Sequence, residues 1–329
     1  MTRRPRITLV VNPASNRGQA AAVGPRVAAR LAVGAEVRVL TGSSQAESVA
    51  LLAKAAEQAD AVLVCGGDGI VHLAVNALAE REVPLGIVPA GSGNDAATAL
   101  GIPADPVAAA DALLEALRAG SIARVDLGHC ESGHCESGHL EAGVSEVAPV
   151  SPTADGRWWL GMCYAGFDSR VNERANRMRW PAGPRRYDLA IGIEMLRLRP
   201  RQFRLLLDDG TDLELPATLI AIGNGPQYGG GKLMTPDAKM DDGIFDLTVV
   251  GPVSRLTLAR LAPTLPRAGH IGHPAIARYR AKELTLAGSG VVAYADGERL
   301  SPLPIRLRCV PAALPVLVPV GGRPPGLSS

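Results

Sequence analysis

The sequence predicts an α/β amino-terminal part with a parallel sheet and a β-rich, sandwich-type carboxy-terminal part. Three observations carry this prediction. Short unbroken apolar runs alternate with helical patterns up to about residue 122, glycine-rich turns follow two of those runs, and beyond residue 122 apolar residues alternate singly with polar ones. Strands buried on both faces of a parallel sheet read as continuous apolar runs, whereas half-buried antiparallel strands read as alternation. At 329 residues the chain is long for one domain and comfortable for two.

In the first part the strands fall at about 6–11, 36–40, 61–65 and 85–88, separated by helical segments. After the third strand, Ile70, Leu73, Ala74, Ala77 and Leu78 recur at helical spacing and form one apolar face. Asp105-Pro106 opens the last helix of this part, Ala110, Leu113, Leu114 and Leu117 form its stripe, and Gly120 closes it. In the second part, Phe203–Leu207 and Leu213–Leu215 flank Asp209-Gly210, a hairpin signal. Phe245, Leu247 and Val249 alternate with Asp246 and Thr248, and Ile305, Leu307 and Cys309 with Arg306 and Arg308, as in half-buried strands. Helices are expected at about 186–199 and 254–262, the second begun by Ser254. The resulting division is 1–122, 123–320, whose last strand has the option of returning to the first domain, and a Pro/Gly-rich end, 321–329, expected to fray.

The turns carry the chemistry. Ala61–Cys65 runs into Gly66-Gly67-Asp68-Gly69, so three glycines and a carboxylate sit at a strand-to-helix turn. Glycines there, lacking Cβ atoms, can take positive φ, let a ligand approach the main chain, and aim amides and a helix N-terminus at an anion. Asp68 cannot itself attract phosphate, which leaves it Mg²⁺ or a proton as a partner. The plain alternative is a tight turn with Asp68 as helix cap. A second turn, Pro89 to Asp95, follows the strand Leu85–Val88, and a third, Asn12 to Asn16, follows the first strand. Ligands of open α/β sheets bind outside the carboxyl ends of the strands, where such turns share one crevice. There is no Walker-type motif and no complete dinucleotide fingerprint.

Composition narrows the field. A net charge of +2 and an aromatic content of 3% provide neither an electrostatic footprint for nucleic acid nor a stacking platform. Five cysteines, an odd and scattered set, do not form a disulfide framework, and a reducing cytoplasm is the expected location. The basic start Met1–Arg6 precedes an apolar run too short for a signal peptide. No segment approaches the roughly 20 apolar residues of a membrane span.

The ordered set of motifs resembles the diacylglycerol kinase catalytic-domain family, which includes bacterial lipid kinases and sphingosine kinases. The resemblance rests on Asn12–Ser15, Gly66–Gly69, Pro89–Asp95, Gly166-Phe167-Asp168, Tyr228–Gly231, Pro236–Gly243 and Asp296-Gly297-Glu298. It implies an NAD kinase- or phosphofructokinase-like first domain and an ATP-dependent kinase acting on a lipid hydroxyl. Diacylglycerol is the first expected acceptor and a sphingoid base or ceramide-like lipid the second. It further implies that Gly66, Gly67, Asp68 and Gly69 cradle ATP phosphates, with Asn12, Pro13, Ser15, Thr41, Gly91, Ser92, Asn94 and Asp95 as further nucleotide contacts. Asp68 and Asp95 are the candidates for a bridging Mg²⁺, directly or through water. A second, structural Mg²⁺ is implied at the side chain of Asp242 and the carbonyls of Lys239 and Ile244. The resemblance assigns the general base to Asp296-Gly297-Glu298. Glu298 is favoured, Asp296 is its neighbour or substitute, and Asp68 is a third contender by analogy with sphingosine kinases. A lipid substrate would be reached from the water side of a membrane, and a homodimer is compatible with the sequence.

Two departures stand out. Ile70 replaces the family's usual Thr after the glycine turn, removing a hydroxyl that could meet phosphate, and Asn16 stands where Gly often follows Ser15. Two rivals also remain open: an NAD kinase-like enzyme for a soluble metabolite, which Asn172-Glu173 resembles, and a nucleotide- or lipid-binding regulator without turnover. A five-residue repeat runs through His129-Cys130, His134-Cys135 and His139. Its spacing does not match structural zinc, so a solvated loop between two strands is the expectation.

Overall fold

The structure is a computed structural model of the 329-residue chain, and it describes residues 3–13, 15, 19–42, 44–131, 157–178, 180, 185–322 and 324–328. Four parallel strands, β1 (Arg6–Val11), β2 (Glu36–Thr41), β3 (Ala61–Gly66) and β4 (Leu85–Pro89), stand in the order β2-β1-β3-β4. Their crossovers contain α1 (Gln19–Ala32), α2 (Gln45–Ala56) and α3 (Asp68–Leu78), and α4 (Asp95–Ala99) and α5 (Pro106–Ala119) follow β4. All of β3 and β4 is buried, as their unbroken apolar sequences require. The capping expected for α5 is present. Asp105 accepts hydrogen bonds from Val107 N (3.0 Å) and Ala108 N (2.8 Å), and Gly120 ends the helix in the left-handed region at φ 68°.

The second part begins with β5 (Ile122–Glu131) and β6 (Arg157–Trp159), then β7 (Met162–Gly166), α6 (Phe167–Arg177) and α7 (Arg185–Leu196). It continues through β8 (Arg201–Leu207), β9 (Asp212–Ala217), β10 (Leu219–Gly223), β11 (Phe245–Val250), α8 (Arg255–Leu261), β12 (Ile276–Ala281), β13 (Glu283–Ala287), β14 (Val292–Ala295), β15 (Glu298–Pro302) and β16 (Ile305–Leu317). One six-stranded sheet, β12-β11-β10-β7-β14-β15, packs on the outer strands of a ten-stranded sheet. That larger sheet is shared: β16 joins β4 in parallel through Val316 and Leu85, and joins β13 and β5 antiparallel.

Three expectations are corrected. The alternation at Phe245–Val250 does not mean a half-solvated strand, because β11 is buried on both faces. Phe245, Leu247 and Val249 enter the sandwich core, while Thr248 donates to Met234 O (2.8 Å) and Asp246 faces Arg278 and Arg280. The first unit of the His/Cys repeat is not loop. His129 to Glu131 end β5, with Cys130 buried and the His129 ring 4.4 Å from that of Trp158, while His134, Cys135 and His139 lie outside the described residues. The end of the chain does not fray at 324–328. Gly326 donates to Ala99 O (2.8 Å) and accepts from Met240 N (2.7 Å), and Ser328 N donates to Asp241 (2.7 Å), because this segment finds partners at the end of α4 and on the loop that holds Met240 and Asp241. Asn16 also lies outside the described residues.

Candidate active site

The strand order reverses between β1 and β3, so their carboxyl ends open a crevice there. Parallel register sets Cys65 against Val88 and Gly66 against Pro89, and Ala90 N donates to Gly66 O (2.8 Å). The two glycine turns consequently touch. A Cβ on Gly91 would stand 2.3 Å from Gly67 Cα, which is why neither turn has a side chain at that point. Asn94, in the left-handed conformation, ties the second turn together by accepting from Gly91 N (2.9 Å) and donating to Gly91 O (3.1 Å). Its side chain therefore shapes the turn instead of facing a ligand. Ile70 is buried under Gly66, directed into the core and away from the crevice.

A cleft of about 640 Å³ lies between these turns and the second part. Ser15, Gly67, Asp68, Gly69, Gly91, Ser92 and Asp95 line one wall; Leu160 to Met162, Asp296 and Gly297 stand opposite. Asn12, Pro13 and Gly66 do not line the cleft; Asn12 N donates to Cys65 O (3.1 Å). Thr41 ends exposed β2 and is not brought to it. Glu298 sits one residue beyond the lining, with Oε1 4.0 Å from where a Cβ on Gly69 would be.

The acids differ in their environments. Burial pushes the Asp68 carboxyl up to about 6, helped by the charges of Asp95 and Asp296 and opposed by Ala96 N, which donates at 3.4 Å. Asp95 accepts from Gly230 N (2.8 Å) and Gly231 N (2.7 Å), so the Tyr228–Gly231 turn of the second part closes on α4. Asp296 has positive φ (50°) in the β14–β15 turn, and its carboxylate accepts from Leu160 N (2.8 Å), Gly161 N (2.9 Å) and Met162 N (3.1 Å). Burial alone would raise its pKa, but neighbouring His72 and these amides hold it below the usual carboxylate value.

The far wall was not foreseen as a site. It consists of Tyr164, Asp168, Asn172, Tyr187, Ile191 and Tyr228. Tyr228 O–H donates to Asp168 and Asn172 donates to Tyr164 Oη; burial raises the Asp168 carboxyl although the Tyr228 hydroxyl and Lys232 oppose the rise. Gly166-Phe167-Asp168 and Tyr228–Gly231 were visible as motifs, but nothing in the sequence joins residues 60 apart into one pair.

Lys239, Asp242 and Ile244 lie on a separate loop. Asp242 pairs with Arg280 and accepts from Ile244 N (3.3 Å), and Lys239 Nζ donates to Pro325 O (2.9 Å). Among the described residues no group of three or more His, Cys, Asp or Glu is arranged to hold a metal ion, so any cation here would rely on carbonyl and water ligands as well.

Fold and cleft together are those of a two-lobed kinase with an NAD kinase-like architecture. Residues 6–130 match the family described as diacylglycerol kinase catalytic domain, and residues 161–318 match the YegS C-terminal NAD kinase beta sandwich-like domain. The chain is 39% identical over 320 residues to the diacylglycerol kinase of Mycobacterium tuberculosis (strain ATCC 25618 / H37Rv), which covers 96% of each chain. A crystal structure of a diacylglycerol kinase from Bacillus anthracis str. Sterne superposes with a TM-score of 0.70 at 20% identity, over 97% of this chain and 99% of that one. An NAD kinase from Archaeoglobus fulgidus, solved in complex with ATP, superposes with a TM-score of 0.51 at 13% identity, over 96% and 94%. The chain belongs to the diacylglycerol kinase family and is a kinase of the lipid-kinase type.

Proposed function

We propose that this enzyme transfers the γ-phosphate of ATP to the hydroxyl of diacylglycerol, giving phosphatidic acid and ADP. The observation that supports the reading is the convergence of two glycine turns and the acid hairpin on one cleft, whose far wall sets three tyrosines and Ile191 beside the paired Asp168 and Asn172. Amides of Gly67 and Gly69 and the N-terminus of α3 meet the phosphates, with Ser15 and Ser92 beside them. Glu298 takes the proton of the acceptor hydroxyl as its oxygen bonds to the γ-phosphorus, and the bond from phosphorus to the β–γ bridging oxygen breaks.

The residues fit Mg²⁺ beside the phosphates: ionised Asp68 is penalised by Asp95 and Asp296, a repulsion that a dication relieves. Asp68 is the better donor, since both oxygens of Asp95 already accept glycine amides. When bound, the ion neutralises charge developing on the transferring phosphoryl group. A second Mg²⁺ at Asp242 with the carbonyls of Lys239 and Ile244 suits the charge of that loop. Burial raises the carboxyls of Asp126 and Asp246 there, and neighbouring Asp242 adds to both.

The substrate is drawn from a membrane surface. Among the described residues no helix is long and apolar enough to cross a membrane. Before, along and after α7, which supplies Tyr187 and Ile191 to the cleft, Trp180 (79%) and Leu196 (68%) are exposed, as are Arg177, Arg185, Arg197 and Arg199. Exposed apolar side chains and arginines along the α6–α7 segment suit an anionic bilayer surface.

Purified enzyme with labelled ATP, Mg²⁺ and a panel of micellar lipids tests the reading. Phosphatidic acid from diacylglycerol is expected, with Glu298→Gln at least tenfold slower in kcat; preferential labelling of a sphingoid base would replace the substrate, and no labelled lipid would end the proposal.

A further inference from the structure

The helix that begins at Asp68 carries two more polar side chains on the same face, at intervals of four residues. His72 and Asn76 both reach the second part, at Asp296 and Trp158. Asn76 grips the β6 backbone: its Oδ1 accepts from Trp158 N (3.0 Å) and its Nδ2 donates to Trp158 O (2.9 Å). Between Asp68 and Asn76 lies His72, whose Nδ1 is buried without a hydrogen-bond partner and stands 3.6 Å from Asp296 Oδ2. Asn76 Nδ2 gives its two protons to Trp158 O and His72 O (2.9 Å each), and Nε2 of the ring lies 3.3 Å from the same nitrogen. In the tautomer that carries its proton on Nδ1, the ring directs that proton at Asp296. Asp296 anchors the turn that leads into Glu298, through the amides of Leu160, Gly161 and Met162.

We propose that His72 is a positioning residue: through Nδ1 and Asp296 it ties the phosphate-loop helix to the acid hairpin and so sets Glu298 against Asp68 and Gly69. This rests on the roles given above to Asp68 and Glu298.

Asparagine and glutamine separate this role from simple packing, because an Asn amide places its N–H near the position of imidazole Nδ1 and a Gln amide near Nε2. With diacylglycerol micelles, ATP and Mg²⁺, His72→Gln and His72→Leu should each lower kcat at least tenfold with KM for ATP within twofold of wild type. His72→Asn should stay within threefold in kcat. Hydrogen exchange supplies a readout independent of substrate: amides of 158–163 and 294–298 should exchange at least fivefold faster in the Gln variant, and near the wild-type rate in the Asn variant. Equal behaviour of Asn and Gln in exchange, or a Gln variant within twofold of wild type in kcat, overturns the proposal. Glu298→Gln is assayed alongside. If it is inactive while the His72 variants are not, this inference alone falls; if Glu298→Gln is fully active, the base assignment falls, and exchange alone decides whether His72 ties the lobes.

Discussion

Asp68 is a carboxylate placed where its charge is disfavoured, and that placement has a consequence for stability as well as chemistry. Its carboxyl is pushed from 3.8 to about 6, first by burial and then by Asp95 and Asp296. Because the folded value lies above the unfolded one, protonation favours the folded state. The stability it confers is present at low pH and is lost as pH rises through about 6. A shift of this size corresponds to roughly 3 kcal/mol as an upper figure. Asp68→Asn should therefore raise the Tm of the metal-free enzyme by about 2–5 °C at pH 7.5, an advantage that shrinks towards zero near pH 4. The same variant should lower kcat by about 100-fold or more, since it removes the carboxylate that would hold Mg²⁺ beside the phosphates. Thermal unfolding at the two pH values, beside turnover, checks both halves; an unchanged Tm at pH 7.5 would contradict the burial argument.

The phosphate cradle depends on two turns from neighbouring strands lying backbone to backbone. Gly91→Ala would place its Cβ 2.3 Å from Gly67 Cα, a backbone atom that cannot rotate aside, so the turns must part. We expect KM for ATP to rise about tenfold or more, because misplacing positioning groups by an ångström is costly, with a loss of about 1–3 kcal/mol in stability. Calorimetric titration with a non-hydrolysable ATP analogue is the measurement, and wild-type affinity would refute it. Asp105→Ala supplies the contrast. It removes the cap that accepts from Val107 N and Ala108 N, so it should cost about 1 kcal/mol in urea unfolding, while kcat and KM stay at wild type because α5 lies outside the cleft lining. The cap, the four parallel strands and the glycine turns were legible because each is encoded within a few residues. Elements whose character depends on distant partners were not. β11 reads as alternating, yet Met234, Arg278 and Arg280 cover its polar face. The chain end reads as loose, yet Ala99 and Met240 hold Gly326. The site followed the same division: Gly67, Asp68, Ser92 and Asp95 were nameable from local motifs, whereas His72 reads as one more helical position until Asp296 is seen beside it.

The family matches divide at residues 130 and 161, but the physical units do not divide there, because β16 serves both. Ile305, Leu307 and Cys309 at its start belong to the sandwich core. Leu314, Val316 and Leu317 at its end belong to the core of β1, β3 and β4, alongside Leu9, Val62 and Leu85. Throughout, it pairs with β5, from Arg306 opposite Glu131 to Leu317 opposite Ile122, with a bulge between Val310 and Leu314. A fragment comprising residues 1–130 would therefore keep its catalytic motifs but lose the strand that seals one side of β4. Burying three large apolar side chains is worth roughly 5–9 kcal/mol, against a net stability of roughly 5–15 kcal/mol for a whole domain. The fragment should fail to fold cooperatively, and the full chain should unfold in a single transition in which circular dichroism and tryptophan fluorescence coincide. Two separable transitions, or a fragment of 1–130 with a sharp melt of its own, would show that the shared strand does not couple the lobes, and the cleft would then have to be treated as a joint between independent bodies.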